Sequence, residues 1–199
     1  MIVGLSGRMS SGKDTVGAEF VNRELGQRFA FADSLKNLCI DAFGIDPKLA
    51  FGTQDDKLTL TNVKWDTICL PSSKIIEYRD NCIDPNADFL SIREVLQIFG
   101  TDVMRSFEPN VWINMTFANI KKNSTRPYSI ITDVRFTNEA RAIEDAGGVV
   151  IRLRRNEDQE SVHASETEMD TYPFAHIIDN RNMTLEEQFN AVYNLVKNK

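Results

Sequence analysis

The sequence predicts an α/β protein in which a mostly parallel five-stranded sheet is covered by helices on both faces. Short apolar stretches alternate with helical patterns along the chain, as strands and helices do in a parallel sheet. A glycine-containing turn joins the first strand to the first helix, and capping sequences precede two later helices. The 199 residues suit one domain, 1–199, with a small insert.

The first part of the chain contains two predicted strands, each followed by a helix. Residues 2–5 form a short buried strand, and the helix after it covers about 13–25. Residues 29–32 (FAFA) form the second strand. Ser34 is expected to cap the next helix, which ends at Gly44.

Residues 45–90 lack a regular pattern. They are rich in Asp, Asn, Lys and Thr, and their apolar residues are scattered. We predict an irregular insert with one strand over 74–78. A structureless stretch of this length in a small domain usually has a function or hides regular structure.

Regular patterns return at Ser91, which begins a capping box with Glu94. The helix that follows is expected to end at Gly100. The remaining predicted elements are a helix over 111–121, a strand over 128–132, a helix from 137 to the glycines at 147–148, strands over 149–153 and 176–178, and a helix that begins with a capping box at 184–187.

Composition excludes several classes of protein. The 23 basic and 29 acidic side chains give a formal net charge of −6, which disfavours nucleic acid and anionic membranes as partners. No apolar stretch is long enough to span a bilayer, and the N-terminal apolar stretch is too short for a signal peptide. The three cysteines lack metal-site spacing, and their odd number fits a reducing cytoplasm. We therefore expect a cytoplasmic protein.

A glycine-rich motif follows the first strand. Residues 7–13 (GRMSSGK) fit the pattern G-x-x-x-x-G-K and open a helix, which is the context that a phosphate-binding loop requires. Glycines allow successive backbone N–H groups to point inward at a phosphate, beside the positive end of the helix dipole. Lys13 adds a positive charge between the terminal phosphates. The predicted ATP-binding residues are Gly7, Arg8, Ser10, Ser11, Gly12, Lys13, Asp14 and Thr15.

The residue after Lys13 departs from the usual pattern. A Ser or Thr hydroxyl normally contacts Mg²⁺ at this position, but here Asp14 stands there and Thr15 follows. A carboxylate can hold the ion directly or through water, so we expect Asp14 near the metal. The alternative is an acidic residue that only complements the helix dipole.

A second group of polar residues follows the strand over 128–132. Ligands of parallel sheets bind beyond the carboxyl ends of the strands, where Asp133 and Arg135 lie. Asp133 is a second candidate metal ligand. Arg135 can bind a phosphate through two parallel N–H···O hydrogen bonds from its guanidinium. Asn138 and Glu139 follow on the next helix. The alternative is a surface Asp–Arg pair on a loop.

Several motifs together resemble the deoxynucleoside monophosphate kinases of tailed phages. The motifs are G-x-x-x-x-G-K-D-T at 7–15, FADSLK at 31–36, LQIFGTD at 96–102, Trp112, DVRFTNE at 133–139 and HASE at 163–166. The resemblance covers most of the chain and is weakest over 45–90. Ser34 departs from the family pattern, in which proline is frequent at this position.

The resemblance implies a three-layer phosphate-loop kinase fold and transfer of the γ-phosphoryl of ATP, with Mg²⁺, to a deoxynucleoside 5′-monophosphate for phage DNA precursor synthesis. It also implies a homodimer, and an acceptor-nucleotide region over 45–112. The residues expected to bind the acceptor are Asp33, Lys36, Arg93, Gly100, Thr101, Trp112, Asp133, Arg135, Asn138 and Glu139. For Trp112 the alternative is an ordinary core residue, and for Arg93 a surface arginine.

The protein is expected to act by positioning the two substrates and neutralising the charge on their phosphates. Phosphoryl transfer requires little covalent chemistry from the protein itself. Lys13 and Mg²⁺ spread the developing charge, and Arg135 holds the acceptor phosphate in line. Arg154 and Arg155 begin a polar lid over 155–172 that excludes water. His163, Ser165 and Glu166 are expected to have a lid or structural role.

Two other functions fit part of the sequence. The chain could phosphorylate another small acceptor, dephospho-coenzyme A or phosphomevalonate. It could also be a nucleotide-binding switch, although the guanine-reading pattern Asn-Lys-x-Asp is missing.

Overall fold

The computed structural model describes residues 1–82, 84–155 and 168–197. The chain divides into two compact units, one formed by Met1–Ala32 with Trp112–Lys199 and the other by Asp33–Val111. The described strands are β1 (Ile2–Ser6), β2 (Gly26–Phe29), β3 (Leu60–Lys64), β4 (Phe89–Ser91), β5 (Tyr128–Val134), β6 (Val149–Arg154) and β7 (His176–Asp179). The described α-helices are α1 (Lys13–Asn22), α2 (Phe31–Phe43), α3 (Pro47–Ala50), α4 (Ser72–Asn81), α5 (Ile92–Gln97), α6 (Val111–Asn123), α7 (Thr137–Asp145) and α8 (Leu185–Val196).

The first unit is built on a parallel sheet with the strand order β2-β5-β1-β6-β7. Each neighbouring pair is parallel, with Val3 of β1 beside Ile130 of β5 and Val149 of β6. Strands β1, β5 and β6 are almost entirely buried, as expected of a sheet covered on both faces. The predicted α/β class with a five-stranded parallel sheet is therefore confirmed.

One face of this sheet packs against α1 and α8. Phe20 of α1 and Phe189 of α8 meet with ring centroids 4.9 Å apart over the middle strands. The buried residues of this layer are Val3, Leu5, Val16, Phe20, Ile130, Val149, Ile151, Leu153, Ile178, Phe189, Val192 and Val196. On the other face, Gly4 lets α7 come close, because a Cβ there would lie 2.7 Å from Cδ1 of Ile143.

The strand predicted over 29–32 is misplaced. Strand β2 pairs Gly26 to Phe29 with β5, and α2 already begins at Phe31. Ser34 is therefore inside the helix and is not its cap. The apolar stretch FAFA spans the end of a strand and the start of a helix, and local periodicity cannot separate the two.

The second unit has more regular structure than predicted for residues 45–90. Strands β3 and β4 pair antiparallel, and the strand predicted over 74–78 is wrong because α4 covers this segment. Ile75 and Tyr78, three residues apart, pack on one side of α4 against the core of this unit. The buried residues of that core are Cys39, Ile45, Ala50, Trp65, Leu90, Ile92, Val95 and Ile98.

The helix that begins at Ser91 does not end at Gly100. It continues as a π-helix over Ile98–Arg105, and Gly100 lacks the positive φ of a terminating glycine. A Cβ at Gly100 would lie 2.5 Å from Cδ2 of Leu35, so this glycine permits close packing. A π-helical segment is uncommon and is often found at functional sites.

Both predicted capping boxes are confirmed. The Ser91 amide donates to Glu94 at 2.6 Å, and the Thr184 amide donates to Glu187 at 2.8 Å. The side-chain hydroxyls of both cap residues accept from the third helical amide in return. Among the described residues, no helix is long and apolar enough to cross a membrane.

Candidate active site

The loop over 7–13 joins β1 to α1 and has the backbone of a phosphate-binding turn. Gly7, Ser10 and Gly12 have φ values of 151°, 60° and 95°, which keep the chain tightly curled. Gly7 must be glycine, because a Cβ there would lie 2.6 Å from the carbonyl oxygen of Leu153. The predicted loop thus adopts a conformation that only this glycine spacing allows.

The Lys13 side chain lies back across the loop and is only 8% exposed. Its Nζ donates to the carbonyl oxygens of Gly7 and Arg8 at 2.7 and 2.8 Å and to Oγ of Ser11 at 3.3 Å. The loop therefore concentrates an ammonium group and the positive end of α1 in one place. An anion with several oxygen atoms is the ligand that such a site favours.

Gly12 lies close to three polar side chains, of which those of Asn180 and Gln188 are buried. A Cβ at this position would lie 3.0 Å from Oε1 of Gln188, 3.4 Å from Nδ2 of Asn180 and 3.8 Å from Nη2 of Arg155. The structure therefore brings Arg155, a predicted catalytic residue, to the phosphate loop. Arg154 is exposed at the end of β6.

Asp14 and Thr15 are both exposed in the first turn of α1. Oδ1 of Asp14 accepts a hydrogen bond from Oγ1 of Thr132 at 2.8 Å, which fixes the carboxylate beside β5. No group of three or more His, Cys, Asp or Glu side chains suited to a metal forms within the described ranges. One fixed carboxylate next to a phosphate site does fit Mg²⁺, which usually binds one or two carboxylates and completes its shell with water and phosphate oxygens.

Asp133 lies near the end of β5 and organises the start of α2. Its Oδ1 accepts from the Phe31 amide at 2.8 Å, and its Oδ2 accepts from the Ala32 amide at 2.9 Å. These two bonds satisfy amides that a helix cannot pair internally, which explains why α2 begins at Phe31. Asp133 is thus a helix cap supplied from a distant strand.

Glu139 plays the corresponding part at α7. The carboxylate is 1% exposed, and its Oε2 accepts from the amides of Arg135 and Phe136 at 2.8 and 3.0 Å. Oδ1 of Asn138 accepts from the Glu139 amide at 3.0 Å. These bonds fix the backbone from which the exposed Arg135 side chain projects.

An ion-pair network that the sequence did not suggest lies beside the phosphate loop. Asp170 accepts from Nη2 of Arg8 at 2.5 Å and from Nη2 of Arg152 at 2.9 Å. Arg152, on β6, is only 7% exposed. An isolated acidic residue in a polar stretch gives no sequence signal for this role.

Part of the predicted lid over 155–172 is not covered by the described residues. His163, Ser165 and Glu166 lie outside them. The stretch that follows is tied to the first unit, since Oε1 of Glu168 accepts from the Thr137 amide at 2.9 Å.

The remaining predicted acceptor residues, except Trp112, lie in the second unit. Asp33 and Lys36 are on α2, and the Lys36 ammonium lies 4.7 Å from the ring centroid of Phe51. Arg93, on α5, donates through Nη2 to Oε1 of Gln54 at 3.0 Å. Trp112 belongs to the first unit and is 2% exposed.

The π-helix carries both Gly100 and Thr101, and its Asp102 anchors α4. The Tyr78 hydroxyl donates to Asp102, and Lys74 lies 4.0 Å from the same carboxylate. Burial, and then this carboxylate, raise the pKa of Tyr78. Tyr78 therefore acts here as a neutral hydrogen-bond donor.

Comparisons with known proteins point to a single family. The family model described as "Deoxynucleotide monophosphate kinase" matches residues 50–192. A protein of Acanthamoeba polyphaga mimivirus that carries the provisional name deoxynucleotide monophosphate kinase is 26% identical over 210 residues. That alignment covers 100% of this chain and 97% of the viral protein. It therefore includes the phosphate loop, which precedes the region matched by the family model.

Proposed function

The chain belongs to the deoxynucleotide monophosphate kinase family and is a phosphotransferase, and from this premise we propose that it transfers the γ-phosphoryl group of ATP to deoxynucleoside 5′-monophosphates. The observation that carries the proposal is the buried Lys13 ammonium at the centre of the loop over 7–13. The products would be deoxynucleoside diphosphates, which fits a role in supplying phage DNA precursors.

The donor side of the reaction belongs to the phosphate loop. Its backbone amides and Lys13 would bind the β- and γ-phosphates, and Arg155 would add a second positive charge beside Gly12. Asp14 is the first candidate for holding Mg²⁺, because the Thr132 hydroxyl already orients its carboxylate. Asp133 is the second candidate, because its carboxylate lies near the end of β5. When bound, Mg²⁺ neutralises charge on the phosphates.

Acceptor binding is assigned separately in each unit. Arg135 projects from a backbone that Glu139 fixes, and its guanidinium would hold the acceptor phosphate. We assign acceptor recognition in the second unit to Asp33, Lys36, Arg93, Gly100 and Thr101. Arg154 and Arg155 would shield the transferred group from water, which prevents wasteful hydrolysis.

Substitution of the lysine tests the donor site. Lys13→Ala should abolish turnover of ATP with any deoxynucleoside monophosphate, because the ammonium stabilises charge that develops during transfer. Lys121→Ala, at an exposed position in the last turn of α6, is the matched control and should retain wild-type activity. A folded Lys13→Ala protein with wild-type turnover would contradict the proposal.

A coupled assay across acceptors tests the substrate class. The wild-type protein should consume ATP in the presence of at least one deoxynucleoside monophosphate and should be inactive with dephospho-coenzyme A and phosphomevalonate. Consumption of ATP that is independent of any acceptor would instead indicate a nucleotide-binding switch.

A further inference from the structure

A buried pair of amide side chains lies directly beneath the phosphate loop. Asn180, which follows β7, is 0% exposed, and Gln188 of α8 is 3% exposed. Nδ2 of Asn180 donates to the carbonyl oxygen of Ser11 at 2.8 Å and to Oε1 of Gln188 at 2.9 Å. Nε2 of Gln188 donates in turn to the carbonyl oxygen of Met183 at 2.9 Å.

The direction of these hydrogen bonds is fixed at both ends. The carbonyl oxygens of Ser11 and Met183 can only accept, so each amide must turn its nitrogen toward one of them. Gln188 then has only its oxygen left for Asn180. Asn180 is therefore the first donor of the network. Its Nδ2 donates to Ser11 on one side and to Gln188 on the other, and Gln188 donates onward to Met183.

The bond to Ser11 orients the peptide that joins Ser11 to Gly12. In a trans peptide the C=O and N–H bonds point in opposite directions. Because Asn180 holds the Ser11 carbonyl toward the interior, the Gly12 N–H is turned to the opposite side. Successive N–H groups that converge on one point are what an anion site requires.

We propose that Asn180 is a positioning residue for the nucleoside triphosphate: it contacts no substrate, and it holds the Ser11–Gly12 peptide so that the phosphate loop presents its amides to the triphosphate. This inference rests on the proposed function of the loop. It also gives the motif an essential partner almost 170 residues away in sequence.

Two substitutions that each exchange an amide for a carboxylate of the same size test the inference. Asn180→Asp removes the donor to Ser11, whereas Gln188→Glu keeps the oxygen that accepts from Asn180 and loses only the bond to Met183. Both add a buried carboxylate, so both should lower the thermal unfolding midpoint. Only Asn180→Asp should weaken the binding of ATP, measured by calorimetry, by about tenfold or more, since a buried acceptor loses its donor.

Steady-state kinetics provide the second readout. For Asn180→Asp the KM for ATP should rise by about tenfold or more, while the KM for the deoxynucleoside monophosphate stays within about twofold of wild type. Gln188→Glu should leave both constants close to wild type. Equal losses of ATP affinity in the two variants would overturn the inference, because burial of charge alone would then explain them.

Asn180→Ala covers the case in which the aspartate variant does not fold. It removes the same donor without adding a charge and should show the same selective loss of ATP affinity. Failure of both variants to fold would also overturn the inference, because it would make Asn180 a folding residue. If wild type itself binds no ATP, the proposed function fails as well. If wild type binds ATP and the Asn180 variants bind it equally tightly, only the role of Asn180 is contradicted.

Discussion

Asp170 and Arg152 form an ion pair of 2.9 Å beside the phosphate loop, and the arginine side chain is almost completely shielded from water. The other carboxylate oxygen of Asp170 accepts from Arg8, the second residue of the loop. A buried guanidinium is costly unless a carboxylate compensates its charge. Asp170 therefore stabilises the end of β6 and also tethers the phosphate loop.

Asp170→Asn should lower the free energy of unfolding by about 2 kcal/mol, less than the loss of a fully buried pair because a third of the carboxylate side chain is exposed. Urea denaturation measures the change. Asp179→Asn is the control, because Asp179 pairs with Arg181 on the surface and its loss should cause no measurable change. Equal stability of the two variants would mean that Arg152 does not need its partner.

Gly17→Ala should destabilise the protein although alanine favours helices. Gly17 faces β5, and a Cβ there would lie 2.5 Å from Cγ2 of the buried Thr132. Overpacking at such a site costs about 1–3 kcal/mol, which exceeds the gain of about 1 kcal/mol in helix propensity. Activity should fall too, because Thr132 orients Asp14.

The neighbouring exposed residue provides the control for this substitution. Ala18→Gly should cost about 1 kcal/mol through helix propensity and leave activity unchanged. Thermal unfolding measures the stability of both variants, and initial rates measure their activity. A Gly17→Ala protein that is more stable than wild type would show that Thr132 has room to move.

The parts of the site that the sequence predicted are those encoded locally. The loop over 7–13 needs glycines and a lysine at fixed spacing next to a strand and a helix, so a short segment contains the whole signal. The capping boxes at Ser91 and Thr184 were predicted for the same reason. The contacts of Asp170 and Asn180 were not predicted, because their partners are distant in sequence and neither residue type is unusual in a polar stretch.

The errors in the fold have a related cause. The start of α2 depends on Asp133, about 100 residues away from the amides that it caps, so the segment at 29–32 looked like a strand. Gly100 resembles a helix terminator in sequence. In the structure Gly100 allows Leu35 to pack closely against the helix, and the helix continues past Gly100.

Asp133→Asn and Asp14→Asn should separate structural support from metal binding. Asn at 133 keeps one acceptor and loses the charge near the start of α2, which should cost about 1 kcal/mol of stability. Asn at the exposed position 14 should leave stability nearly unchanged but raise the Mg²⁺ concentration needed for half-maximal activity. A Mg²⁺ titration of both variants, next to their urea denaturation curves, measures the two effects. An unchanged Mg²⁺ requirement in Asp14→Asn would exclude it as a ligand.

Cys39 should make stability depend on alkaline pH. Burial raises the pKa of the Cys39 thiol from its ordinary value of 9.0 to about 12. Between these values the unfolded chain has lost the proton and the folded chain has kept it, so stability falls as pH rises. The contribution is intact well below pH 9, and about 1.4 kcal/mol is lost at pH 10.

Cys39→Ala isolates this effect from other alkaline titrations. At pH 8 the variant should be less stable than wild type by about 1 kcal/mol, because a buried side chain is shortened. At pH 10 the difference in stability should be smaller, because only wild type is destabilised by ionisation of the thiol in the unfolded chain. Cys69→Ala, at an exposed position, should follow wild type at both pH values. A stability difference for Cys39→Ala that stays constant from pH 8 to pH 10 would show that the thiol ionises equally in the folded and unfolded chains.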